Sequence, residues 1–130
     1  NNRLDMFMEM RLAALLAKAR SGRANVIGAH QALHMATLGG ARALGLDKRI
    51  GSLLPGKAAD LCAINIEKIP LVPCYDPASL IVYSAGREQV SDVWVAGIQR
   101  IKGGQQVESN EIELINLGRL WQNRIRPCDV

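Results

Sequence analysis

Gly51-Ser52-Leu53-Leu54-Pro55-Gly56-Lys57-Ala58-Ala59-Asp60-Leu61 is a sharp turn that delivers the chain into a strand. Pro55 presets its own φ and Gly56 accepts a positive one, which are the two demands of a type II turn. The segment from Asp60 to Ile66 that follows is mostly apolar and of strand length. Pro55-Gly56-Lys57 reads as a turn rather than a binding loop. Asp60, just ahead of the strand, reads as a turn or edge hydrogen-bond acceptor rather than a base.

Upstream of that stretch the pattern is helical. Asn2 stands where it can cap a first helix, with Asp5 and Glu9 near its start and Lys18 and Arg20 near its end, the charge order that the helix dipole favours. Leu4, Met6, Phe7, Met8, Met10, Leu12, Leu15 and Leu16 cover most of its surface, so burial on more than one side is expected, with the methionines in the core. Ser21-Gly22 ends it. Ala29 to Leu38 reads as a second helix, interrupted at Gly39-Gly40 and resumed for a turn from Ala41 to Leu44 before Gly45. Gly39-Gly40 is a helix break and not a phosphate loop, since no Lys-Ser/Thr pair follows it.

Downstream, Pro70, Pro73 and Pro77 mark an irregular connection, and Pro77 opens a short helix over 77–84. Val90 to Val95, Ala96-Gly97 and Ile98 to Ile101 read as a hairpin with a two-residue loop, ended by Gly103-Gly104. Ser109 or Asn110 caps a last helix reaching about Arg126, with Leu114, Leu117, Trp121 and Ile125 on one stripe and Pro127 as its stop.

The 130 residues suffice for one domain with a modest core. They fall well short of the ~250 that a (β/α)₈ barrel needs. The net charge of +4 is scattered, without the basic stripe of a nucleic-acid binder. No apolar run approaches the ~18 residues of a membrane span, and no signal peptide is visible. The chain opens at Asn1 and not at Met. Cys62, Cys74 and Cys128 are odd in number and form no CxxC, so a reduced, cytoplasmic setting is expected, with Cys62 a small core residue.

Catalytic residues are not legible. His30 and His34 stand four apart, a spacing that HExxH metal sites use, but Gln31 replaces the glutamate and no downstream His offers a third ligand. The pair reads as helix-surface or partly packed histidines, and neither catalytic nor metal-ligating residues are assigned. Tyr83, Ser84 and the cysteines lack a neighbouring base in sequence.

The order of these segments carries a resemblance. Asn1-Asn2-Arg3-Leu4-Asp5-Met6-Phe7, Glu9-Met10-Arg11, Ala36-Thr37-Leu38-Gly39-Gly40-Ala41, Gly51 to Leu61, Tyr75-Asp76-Pro77, Tyr83-Ser84-Ala85-Gly86 and Val93-Trp94-Val95 follow one another over about Asn1 to Ile101. In that order they resemble the C-terminal end of amidohydrolase-superfamily enzymes. The similarity is to the 5-methylthioadenosine/S-adenosylhomocysteine deaminase group and to the chlorohydrolase-like (triazine hydrolase-type) members.

The resemblance implies an α+β fragment: the last helices of a (β/α)₈ barrel (1–48), the C-terminal strands of a small β-sandwich (49–107) and a terminal helix (108–130). It implies a parent enzyme in which one divalent metal, zinc or iron, activates a water for C–N bond hydrolysis on an amidine-type carbon, with chloride as the leaving group in dechlorinating relatives. The ligands would be an HxH pair, two further His and an Asp, all preceding Asn1, so the chain is expected to be catalytically inert by itself. Asn1 and Asn2 would stand at the barrel mouth, lining the substrate pocket. The implied partners are a small-molecule substrate for the parent and either the missing N-terminal part or a second copy, as a homo-oligomer burying the Leu4 to Leu16 face and a strand edge. A non-catalytic structural or oligomerisation module is the alternative. A helix-turn-helix-like binder over Ala29 to Leu46 is disfavoured by the uncharged face of that segment.

Overall fold

The computed structural model describes residues 3–108 and 110–125. Helix α1 runs Met6–Ser21 and ends on Gly22 at φ 65°, the left-handed conformation that glycine adopts without strain. Its cap differs from the expectation. The Asp5 carboxylate accepts from the backbone N–H groups of Phe7 at 3.1 Å and Met8 at 3.3 Å, so Asp5, and not Asn2, is the cap. Asn2 lies outside the described residues. An aspartate satisfies two orphan donors and adds negative charge at the positive end of the helix.

The expected break at Gly39-Gly40 does not occur. Helix α2 (Ala29–His34) passes through a π-helical turn over Met35–Gly39 directly into helix α3 (Gly40–Ala43). Both glycines keep ordinary right-handed angles, φ −63° and −62°. A Cβ on Gly39 would stand 3.1 Å from the His34 carbonyl oxygen, and one on Gly40 3.3 Å from that of Met35. The missing side chains therefore let a widened turn continue, where the sequence pattern suggested interruption.

Helix α4 (Pro77–Tyr83) starts as expected, with Pro77 in its first turn and the Asp76 carboxylate capping Ala78 and Ser79. The core lies where α1, α2 and α4 meet: Met10, Ala14, Ala29, Ala32, Ala78 and Val82, flanked by Phe7, Leu33 and Ile81. Four of those six buried residues are alanines, which lets the helices approach closely. Only this stripe of α1 is covered. Met8, Leu12, Leu15 and Leu16 are exposed, so the helix is not buried on more than one side in this chain.

The sheet is antiparallel, in the order β1 (Leu61–Ile64), β2 (Val90–Val95), β3 (Ile98–Lys102), β4 (Gln105–Gln106). The expected hairpin is present, with φ 51° at Ala96 and 78° at Gly97, both signs that a type I′ turn requires. Gly103 and Gly104 also have positive φ and do not end the sheet; they turn the chain back into β4. Strand β1 is shorter than the expected Asp60 to Ile66, because a bulge at Ala63/Ile64 shifts its register against β2. Cys62 is exposed and is not a core residue: β1 is an edge strand, and that face of it is left uncovered. Helix α5 (Glu111–Ile125) is capped by the Asn110 side chain, which accepts from Ile112 N–H at 3.1 Å. Ser109 and Arg126 to Val130, Cys128 included, lie outside the described residues. No described helix is long and apolar enough to cross a membrane.

Candidate functional site

The most fully built polar cluster joins α1 to the end of α4. The Arg11 guanidinium donates to the backbone carbonyls of Val82 at 3.1 Å and Ala85 at 2.6 Å. Both are carbonyls at or just beyond the C-terminus of α4, where the helix leaves acceptors unpaired and the dipole favours a cation. Two turns further along α1 and on the same side, Lys18 donates to the Tyr83 hydroxyl at 2.6 Å, and its ammonium lies 4.7 Å from the ring centroid. The sequence reading missed this clamp. Its signal was the placing of two cations seven positions apart on one α1 face, with apolar neighbours on either side.

Close contacts also join other conspicuous segments. A Cβ on Gly51 would lie 2.6 Å from Ala41 Cβ and 3.0 Å from Leu38 Cα, so the turn segment seats directly against the Ala36–Ala41 stretch. Lys57 donates to the Ile50 carbonyl at 3.2 Å and to that of Asp47, and Ala58 N–H to the Arg49 carbonyl at 2.9 Å, which closes the Pro55-Gly56 loop onto itself. Asp60 accepts from Ala96 N–H at 2.7 Å, so the expected turn or edge acceptor ties the first strand's entry to the hairpin tip. These residues are joints between elements and carry no reactive group in an activated setting.

Asn1 and Asn2 lie outside the described residues. His30 and His34 are both exposed on α2; His30 Nε2 is 3.3 Å from Asp76 Oδ1, a surface contact. The Asp76 carboxyl is held below its usual range, chiefly by the Ser79 hydroxyl donating to it at 2.6 Å. Cys62 is exposed as a residue, yet its neighbours partly desolvate the thiol and push its pKa up, the opposite of an activated nucleophile. Among the described residues no three His, Cys, Asp or Glu side chains gather so that they could hold a metal ion. A divalent-metal centre therefore does not fit the residues described, and no reaction step is built on one.

With that geometry in view, the relatives become informative. The model of the amidohydrolase family matches residues 1–100. The chain belongs to the amidohydrolase family. It is 42% identical over 125 residues to the 5-methylthioadenosine/S-adenosylhomocysteine deaminase of Teredinibacter turnerae, covering 96% of this chain and 28% of that protein. An adenosine deaminase from Xanthomonas campestris with bound zinc superposes with a TM-score of 0.89 at 42% identity, over 93% of this chain and 28% of the other. The atrazine chlorohydrolase of Arthrobacter aurescens TC1, complexed with zinc, gives a TM-score of 0.79 at 25% identity, over 88% and 25% of the two chains. This amidohydrolase chain thus spans little more than a quarter of the length of the relatives it matches.

Proposed function

We propose that the chain is the C-terminal part of a metal-dependent hydrolase that deaminates adenosine-type substrates, and that its own contribution is structural. On this reading residues 1–48 are the last helices of the barrel, 49–107 the C-terminal part of the small sandwich with its inserted helix, and 108–130 a terminal helix. The zinc or iron stands on ligands supplied upstream of Asn1, and its chemistry would be to activate a water for C–N bond hydrolysis. Asn1 and Asn2 would line the mouth of the substrate pocket. This chain's residues hold the wall of that site in place: the Arg11–Lys18–Tyr83 clamp fixes α1, the element that leads away from the pocket.

The observation that carries the reading is the 42% identity to a deaminase over 96% of the chain, combined with coverage of only 28% of that deaminase. The partner is then the remainder of a longer chain, which would cover the open face of α1 and the free edge of β1. Chlorohydrolase activity ranks second, because the likeness to the atrazine enzyme is at 25% identity.

The test is a chimera joining the upstream part of the Teredinibacter turnerae deaminase to this chain, loaded with zinc. Ammonia release from 5-methylthioadenosine and S-adenosylhomocysteine is the expected result. A folded, zinc-loaded chimera that releases no ammonia from either would overturn the reading.

A further inference from the structure

Every residue of helix α5 from Glu111 to Ile125 is exposed, although Glu111 and Leu114 border a cleft with Gly104, Gln105 and Gln106. The helix nonetheless carries a continuous apolar stripe of Leu114, Leu117, Trp121 and Ile125, at spacings of three and four. A solvated helix of this length gains little from such a stripe unless something covers it.

The charges on α5 identify what that is. Glu113 and Arg124 are about three helical turns apart, so both border the stripe on the same side, one near each end. The Arg124 guanidinium already lies over the Trp121 ring, 5.2 Å from its centroid, at the edge of the stripe. Gly118 sits within the same stripe, in the middle of the helix, with open space where a side chain would be. Packed in parallel about a twofold axis, each border of the stripe would face the opposite border of the second copy, and Glu113 and Arg124 would not meet. Packed antiparallel about a twofold axis, each border faces the same border of the other copy with its ends exchanged. Glu113 then meets Arg124 of the second copy, twice, Leu117 packs against the second copy's Trp121, and the gap at Gly118 gives the indole room. We propose that α5 is a self-association surface whose occupant is the α5 of a second copy of this chain, paired antiparallel.

This does not rest on the deaminase reading, and its test does not involve activity. Sedimentation equilibrium on the 130-residue chain at low salt should show a reversible dimer. Glu113→Arg and Arg124→Glu should each weaken it about tenfold, since each replaces two attractive contacts per dimer with two repulsive ones. The double exchange should restore the dissociation constant to within about threefold of the wild-type value, because complementarity is recovered only across the interface. Circular dichroism checks that the helix persists. Should either reversal unfold it, Glu113→Gln and Arg124→Gln replace them, and the double variant is then expected to be no weaker than the worse single one. A chain that stays monomeric, a dimer unmoved by the single changes (association through α1 or a strand edge) or a double exchange without rescue would each overturn the proposal.

Discussion

At Ala96 the sequence and the backbone conflict openly. Its φ of 51° is enforced by the two-residue turn, and the left-handed region costs an L-alanine about 1 kcal/mol. Ala96→Asn keeps the N–H that donates to Asp60 and suits the conformation better, so a gain of about 0.5–1 kcal/mol is expected. A raised melting temperature by calorimetry checks it, and an unchanged one contradicts the strain argument. Gly51 is the opposite case. Its φ is 85° and a Cβ would lie 2.6 Å from that of Ala41, so Gly51→Ala combines backbone strain with overpacking, for a loss of about 2–4 kcal/mol in a urea titration. Both residues were legible as turn residues from composition, because positive φ selects for glycine and its neighbours regardless of tertiary context. The close approach of Gly51 to Ala41 was not legible, since a missing side chain advertises space without saying what fills it.

At the scale of elements, the β2–β3 hairpin and the short helix at Pro77 followed from local chemistry, whereas the β1–β2 and β3–β4 pairings did not, and the errors share one cause. Asn2 and Asp5 are both competent caps, and only the backbone's choice of where to turn decides between them; Asp5 prevails by bonding two N–H groups. Gly39-Gly40 has the composition of a break, yet the segment stays helical because the bonds lost in a widened turn are replaced within it. Cys62 lies in an apolar run that would be core in a central strand and is exposed in an edge strand. Composition cannot register which elements flank a strand.

The cap of α4 yields a pH prediction. Asp76 is depressed chiefly by the Ser79 hydroxyl, with the Ser79 and Ala78 N–H groups and nearby His30 acting in the same direction. A carboxylate with a folded-state pKa below its unfolded value contributes stability that is fully present above the unfolded pKa and lost as pH falls through the folded one. The melting temperature should therefore fall on acidification below the ordinary carboxylate range. Asp76→Asn, which can still accept from the two N–H groups but cannot ionise, should flatten that fall. An identical slope in the variant would place the acid sensitivity elsewhere.

For the whole molecule, the open face of α1 is the feature that most needs a second body. Met10 and Ala14 turn inward against α2 and α4, while Met8, Leu12, Leu15 and Leu16, at spacings of four, three and one, lie on the other side and are exposed. A helix with two apolar faces belongs between two layers, and this chain provides one of them. The sequence reading foresaw both faces but not their unequal fates, because periodicity records how much of a helix is apolar and not which partner is within reach. The inequality separates stability from assembly. In the chain by itself, Leu12→Lys with Leu16→Lys removes apolar surface already in water, so a change within about 0.5 kcal/mol is expected in a urea titration. In the chimera with the upstream part of a deaminase, the same pair would bury two ammonium groups without partners, and the fold should not form. Limited proteolysis reads the difference: the isolated double variant should be as resistant as the wild-type chain, and the chimera carrying it should be cut where the intact one is not. Equal resistance of the two chimeras would mean that this face stays open in the longer protein and that α1 is not an inner helix of a barrel wall.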